Sequence, residues 1–232
     1  MAYLINPWPF ASAEPAWSGA PGFIGNGNPA TATTHVAINV PYPADVKFHD
    51  ILILAAASIE GSSGTPSIIT PTGFTLLNAA NINSSFFQNA IFWKRALGNE
   101  TGTVSVGLSG GAGDGFIGIM ANFRGCLATG TPYEAKGSTV GASSSPTGAS
   151  VTTTGADRLV VNMIAKQTTG SATSTAGPGY TERYDRALSG STGAALVLDT
   201  RVQSTAGVVA ADATTSSAST NWRCVSFALL PR

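Results

Sequence analysis

Apolar and polar residues alternate in several short segments of this chain. The clearest example is residues 103–109, Thr-Val-Ser-Val-Gly-Leu-Ser, in which every second residue is apolar. This pattern is typical of a strand with one buried face. A Gly-Asn-Glu-Thr-Gly turn at residues 98–102 precedes it, so residues 90–97 predict the other strand of a hairpin. No segment keeps the roughly 3.6-residue period of an amphipathic helix, and the sequence therefore predicts an all-β protein.

The order of these segments occurs twice. Residues 73–75, Gly-Phe-Thr, correspond to residues 179–181, Gly-Tyr-Thr, at a separation of 106 positions. Residues 116–125 correspond to residues 222–231 at the same separation. A spacing that persists over so much of the chain indicates an internal duplication.

The duplication predicts two sequence-related halves, covering about residues 35–125 and 149–232. Each half offers about six strands, and about twelve strands are more than an open twisted sheet usually holds, so two sheets packed face to face are expected. The predicted fold is a single all-β domain over residues 35–232, a jelly-roll-like β-sandwich built from the two halves.

Residues 1–34 differ from the rest and predict an extended N-terminal arm. Aromatic residues stand there among prolines and glycines, and proline is unfavourable in helix interiors and in central strands. Two interpretations remain open: the arm covers its own sandwich, or it docks on a neighbouring subunit. Under the second interpretation, the candidate partner-docking residues are the aromatic ones, namely Trp8, Phe10, Trp17 and Phe23.

Charge is scarce in this chain. Only 10% of the residues are charged, and 12 basic and 12 acidic residues give a net charge of zero. Without a basic cluster, the sequence predicts no nucleic-acid partner. A weakly charged surface suits dense packing among copies of a protein, although a neutral β protein with many turns would have the same composition.

Neither a membrane span nor a signal peptide is expected. The longest apolar run, Ile51–Ala57, is far shorter than the about 20 residues that a membrane-spanning helix needs. The N-terminus lacks a charged segment followed by an apolar one. We therefore expect synthesis in a cytoplasm and no membrane partner.

The sequence also offers no pattern for catalysis. Its two histidines, His35 and His49, are not accompanied by the Gly-x-Ser-x-Gly motif of many hydrolases. Its two cysteines, Cys126 and Cys224, lack metal-binding spacing, and no calcium loop is present. We therefore predict a protein that is not an enzyme, with no catalytic residues, no metal and no cofactor.

A set of short motifs runs through residues 36–232. They are Asp-Ile-Leu-Ile-Leu-Ala at 50–55, Pro-Thr-Gly-Phe-Thr-Leu-Leu at 71–77, Phe-Trp-Lys-Arg-Ala at 92–96, Phe-Arg-Gly at 123–125, Ser-Val-Thr-Thr-Thr at 150–154 and Ala-Leu-Leu-Pro at 228–231. The set resembles a family of duplicated β-sandwich proteins encoded in the structural modules of tailed bacteriophages and in prophages. The resemblance implies a virion structural protein used in many copies, and it transfers no catalytic residue.

Our leading hypothesis is a capsid decoration or cement protein of a tailed phage, located in the virion and assembled in the host cytoplasm. Its partners would be the major capsid protein or tail proteins together with copies of itself, and a trimer is one hypothesis for the oligomer.

Two alternatives remain open. The first is a tail fibre, baseplate or receptor-binding sandwich, in which the glycine-rich loops at 61–64, 110–115 and 170–177 would contact a cell surface. The second is a carbohydrate-binding module. Its candidate sugar-stacking residues are Trp93, Tyr180, Tyr184 and Trp222.

Overall fold

A computed structural model confirms the predicted all-β sandwich. Strands account for 65% of the described residues, and this part of the chain contains no helix. The structure describes residues 17–33, 36–60, 67–82, 84–110, 114–168, 173–188 and 193–232.

The strands fall into two successive groups along the chain. The first group is β1 (Gly22–Asn26), β2 (Ala30–Ala32), β3 (Ala37–Pro41), β4 (Phe48–Ile59), β5 (Ser67–Ile68), β6 (Thr75–Ile82), β7 (Ser84–Leu97), β8 (Thr103–Ser109) and β9 (Gly115–Arg124). The second group is β10 (Tyr133–Ser143), β11 (Val151–Thr153), β12 (Arg158–Thr168), β13 (Ser174–Thr175), β14 (Thr181–Ala187), β15 (Gly193–Gln203), β16 (Gly207–Val209), β17 (Thr215–Ser216) and β18 (Thr220–Leu229).

Each group forms one large antiparallel sheet. The N-terminal sheet has the order β1-β9-β4-β7-β6, with β2 also pairing β9, and the C-terminal sheet has the order β10-β18-β12-β15-β14. The two orders correspond when β1, β9, β4, β7 and β6 are matched with β10, β18, β12, β15 and β14, respectively; β2 has no counterpart in the second large sheet. This match supports the duplication predicted from the spacing of the motifs.

The two large sheets pack face to face over the main apolar core. Alternate residues of β4, beginning with Ile51 and Ile53, meet alternate residues of β12, beginning with Leu159 and Val161, in one buried cluster. The intervening residues of β4, such as Leu52, belong to a second cluster on the opposite face of the N-terminal sheet. Because both faces of β4 are buried, its sequence is nearly continuously apolar.

Small sheets cover the outer faces, so the protein has four layers. The sheet β3-β8-β5 closes the outer cluster of the N-terminal sheet, which is apolar. The pairs β11-β16 and β13-β17 cover the C-terminal sheet, where Lys166, Asp199 and Asn162 are buried beneath them. The two outer interfaces therefore differ in polarity.

One edge strand of each large sheet comes from a segment that the sequence places outside the repeat. β1 lies within residues 1–34, the predicted arm, and β10 lies within the predicted connection between the halves. The described part of the arm thus contributes two strands, β1 and β2, to the sheet of its own chain. The sequence obscures this role because β1 is short and stands among prolines and glycines.

Candidate functional site

A pocket of about 300 Å³ lies at the end of the sandwich where Trp17 and Arg232 meet. Its lining is Trp17, Lys47, Phe48, His49, Asp50, Arg124, Gly125, Cys126 and Arg232. We call it the terminal pocket. Its lining combines two aromatic side chains with the cationic side chains of Lys47, Arg124 and Arg232.

Asp50 is fixed at this pocket by its own chain. Its Oδ1 accepts a hydrogen bond from Arg124 Nε at 2.9 Å, and its Oδ2 accepts from Arg124 Nη2 at 2.8 Å and from Asn122 Nδ2 at 2.9 Å. The Arg124 guanidinium also donates to Asp45 Oδ2 at 3.2 Å. The hydrogen bond to Asp50 is the main cause that raises the pKa of Arg124. This carboxylate is therefore part of a bidentate ion pair that stiffens the pocket.

Phe48 and His49 form the rim at the start of β4. Their rings stack with centroids 3.8 Å apart, and His49 has a φ of 69° at a register shift between β4 and β7. The Nδ1 atom of His49 is buried and has no hydrogen-bond partner in the described part of the chain.

An exposed apolar pair lies beside this rim. Phe48 and Leu97 are opposite each other on β4 and β7, and they are 50% and 65% exposed. We call this pair the terminal patch. Exposed apolar side chains beside a pocket offer surface on which another molecule can bury apolar area.

Two of the four predicted docking residues contact their own sandwich. Trp17 donates from Nε1 to the carbonyl of Ala20 at 3.0 Å, and its ring covers Gly125, where an added Cβ would lie 2.0 Å from the indole nitrogen. Phe23 packs edge-to-face on Phe123 with centroids 5.7 Å apart. The geometry of these two residues matches the interpretation in which the arm covers its own sandwich.

The other two docking residues, Trp8 and Phe10, lie outside the described residues, and so does His35. The same holds for loop 61–64 and for parts of the other two loops proposed to contact a receptor, 110–115 and 170–177.

A buried polar layer lies on the outer face of the C-terminal sheet. Asp199 Oδ2 accepts a hydrogen bond from Thr214 Oγ1 at 2.8 Å, and burial raises the pKa of Asp199 to about 6. Lys166 donates to the hydroxyls of Ser174 and Ser216, and burial lowers its pKa. Because Asp199 and Lys166 expose none of their surface, this layer is closed to a substrate.

The four aromatic residues considered for sugar stacking do not form an exposed platform. Tyr184 and Trp222 are buried, and Trp93 packs against the main core. Tyr180 lies against an outer cluster, with the Arg201 guanidinium 5.9 Å from its ring centroid.

Sequence reasoning did not single out Phe48, Leu97, Lys166 or Asp199. The signals for the last two were a lysine that ends the apolar run of β12 and an aspartate inside an apolar strand. Phe48 and Leu97 carry no such signal, since an apolar residue at a strand end is ordinarily a core residue.

Among the described residues, no group of three or more His, Cys, Asp or Glu side chains is placed to hold a metal ion. That part of the chain also has no helix long and apolar enough to cross a membrane. No family model, curated protein or solved structure matches this chain.

Proposed function

We propose that this chain is a non-enzymatic structural protein of a tailed-phage virion. We further propose that it decorates and stabilises the capsid through the end of the sandwich that carries the terminal pocket and the terminal patch. The observation that carries the proposal is the terminal patch, Phe48 and Leu97, beside a pocket with aromatic and cationic residues. A partner segment that presents an apolar side chain fits this patch and the aromatic part of the pocket.

The energetics suit an assembly of many copies. Burying the exposed parts of Phe48 and Leu97 contributes on the order of 1 kcal/mol each, which is weak for a single contact. Repeated over a lattice, weak contacts add up through effective concentration. The scarcity of charge also favours close packing, because few charged groups must be desolvated.

The resemblance of residues 36–232 to duplicated phage β-sandwich proteins supports the same proposal. The matching strand orders of the two large sheets are consistent with the duplication in that resemblance. We keep the predicted arm residues Trp8 and Phe10 as candidate contacts to the neighbouring virion protein, alongside the terminal patch.

Cosedimentation with purified particles tests the role. The protein is mixed separately with capsids and with tails of the phage whose structural module encodes it, and bound protein is quantified after gradient centrifugation. Decoration predicts binding to capsids in a fixed number of copies. Binding to tails alone would replace decoration by the tail fibre, baseplate or receptor-binding alternative, and binding to neither particle would contradict a virion role.

The carbohydrate-binding alternative loses support from the placement of its candidate aromatic residues, because Tyr184 and Trp222 are buried. Binding to a glycan array that is lost in Tyr180→Ala would restore it, since Tyr180 is the least enclosed of the aromatic residues in the second half that this alternative needs.

A further inference from the structure

Among the described strands, the edges of the large sheets are formed by β1, β2, β6, β10 and β14, and all of these except β10 have features that oppose pairing with another strand; β2, for example, is only three residues long. β14 carries four charged residues, Glu182, Arg183, Asp185 and Arg186. β1 and β6 are interrupted by register shifts, and Lys136 Nζ donates to a main-chain carbonyl of β6, that of Leu77, at 2.9 Å. Charges and bulges are the usual protection of an exposed sheet edge.

β10 is the exception. From Gly137 to Ser143 its register with β18 is uninterrupted, and among the described strands β18 is its only neighbour in the large sheet. This stretch, Gly-Ser-Thr-Val-Gly-Ala-Ser, contains no charge and no proline. At its centre, Val140 is 52% exposed.

The stretch is also held in place before any partner arrives. Trp222 Nε1 donates to Ser143 Oγ at 3.1 Å, and Thr139 Oγ1 donates to the carbonyl of Thr147. An edge that is already ordered loses little conformational entropy when another strand pairs with it.

We propose that β10 is a homodimer interface, where two copies pair antiparallel about a twofold axis at Val140. In this register Val140 faces Val140, residue 139 faces residue 141, 138 faces 142 and 137 faces 143. No charged residues oppose each other, so the segment is complementary to itself. The two C-terminal sheets become one continuous sheet across the dimer.

This interface goes beyond the proposed virion role and does not depend on it. We assign the partner strand to a second copy of this chain for two reasons. The self-paired register places only neutral residues opposite one another, and it buries the exposed Val140 of both copies against each other. The axis is twofold, so it predicts a dimer and not the trimer considered from the sequence.

Charge exchange at residue 140 tests the proposal. Sedimentation velocity over a range of concentrations compares the wild-type protein with Val140→Lys, Val140→Glu and a 1:1 mixture of the two. The wild type is expected to reach twice the 23.4 kDa of one chain. Each single variant places like charges opposite each other at the axis and is expected to dissociate at least tenfold more readily, whereas the mixture places Lys opposite Glu and recovers the dimer.

Val208→Lys is the matched control, because Val208 is 67% exposed on β16, away from this edge; its dimer is expected to be unchanged. A monomeric or trimeric wild type would overturn the proposal, and so would a Val140→Lys protein that dimerises like the wild type. Failure of the 1:1 mixture to recover the dimer would overturn the antiparallel register at Val140.

Discussion

Phe23 and Tyr133 hold corresponding positions in the two large sheets. Phe23 is opposite Phe123 of β9, and Tyr133 is opposite Leu229 of β18. Each ring makes an edge-to-face aromatic contact, Phe23 with Phe123 at 5.7 Å and Tyr133 with Phe227 at 6.1 Å. Two segments without evident sequence similarity therefore supply the same edge to the same kind of sheet.

This correspondence makes a prediction about the arm. Replacing Phe23 by Ala removes an aromatic side chain that packs against the main core, and we expect a loss of about 2–4 kcal/mol in the free energy of unfolding. Chemical denaturation measures this loss. The control is Phe86→Ala, because Phe86 is an exposed aromatic residue of β7. Equal, small effects of both substitutions would contradict a structural role for Phe23.

Gly125 and Trp17 form a second testable contact. Gly125 has a φ of 78°, and an added Cβ would collide with the indole, whereas Gly130 has a φ of 69° and open space around it. Gly130→Ala therefore measures the backbone strain alone, about 1–2 kcal/mol. We expect a larger loss of stability for Gly125→Ala, with a change in tryptophan fluorescence.

The double-mutant cycle isolates the collision. In a Trp17→Ala background, the cost of Gly125→Ala is expected to fall to that of Gly130→Ala, because only backbone strain remains. A cost that is the same in both backgrounds would show that Trp17 does not lie on Gly125 in solution.

Arg223 links the two large sheets. From β18 it donates through Nη1 to Asn89 Oδ1 at 3.2 Å and through Nη2 to Asn78 Oδ1, both in the N-terminal sheet. Arg223→Ala leaves two amide acceptors without their donor and opens a cavity, so we expect a loss of about 2–4 kcal/mol. Arg186→Ala, at an exposed position of β14, is expected to change stability by less than about 0.5 kcal/mol. Thermal and urea unfolding measure both, and equal effects would argue against the link.

Asp199 makes stability depend on pH. Its pKa is about 6 in the folded protein and 3.8 ordinarily, so the folded state binds the proton more tightly. The stability that this group contributes is fully present below about pH 4 and is lost as the pH rises through 6, by roughly 3 kcal/mol in total. Asp199 is directly opposite Asn162 in the pairing of β15 with β12, and the Oδ1 atoms of both side chains are buried without a hydrogen-bond partner among the described residues. A proton on Asp199 gives this pair of acceptors a donor.

Asp199→Asn keeps the shape and has a permanent N–H donor for Asn162. Relative to the wild type, this variant is expected to be similar in stability near pH 4 and more stable above pH 6. The measurement is the difference in unfolding free energy at several pH values. A difference that does not change with pH would contradict the raised pKa of Asp199.

Much of the fold follows from the sequence because its cause is local. The period-two alternation of β8 and the continuous apolar run of β4 reflect burial of one face and of both faces, respectively. The spacing of the motifs predicted two related halves forming two packed sheets, but it did not predict the order of the strands within each sheet.

Other features depend on tertiary contacts and could not be predicted. In the sequence, Asp50 precedes the apolar run of β4 as Asp157 precedes that of β12, which suggests that the two aspartates correspond; the residue that shares the left-handed backbone of Asp157 (φ 56°), however, is His49 (φ 69°). His49 and Asp157 stand two positions before Ile51 and Leu159, respectively, and Ile51 and Leu159 pair with the corresponding strands β9 and β18. A bulge shifts the register without leaving a mark in the apolar pattern.

The candidate site was beyond sequence reasoning for a similar reason. The terminal pocket joins the arm, the start of β4 and the end of the chain, which are far apart in sequence. Phe48 and Leu97 are exposed because no other part of the described fold covers them, and the alternation of apolar and polar residues along a strand does not predict this.

The most direct test of the capsid-decoration proposal is a binding titration on purified capsids with the terminal patch altered. We predict that the wild-type protein saturates the capsids at a fixed number of copies, and that Phe48→Ser combined with Leu97→Ser binds at least tenfold more weakly while remaining folded. The control, Val208→Ser, removes an exposed valine elsewhere and should bind like the wild type. Unchanged binding of the doubly substituted protein would contradict docking through the terminal end, and absence of saturable wild-type binding would contradict decoration itself.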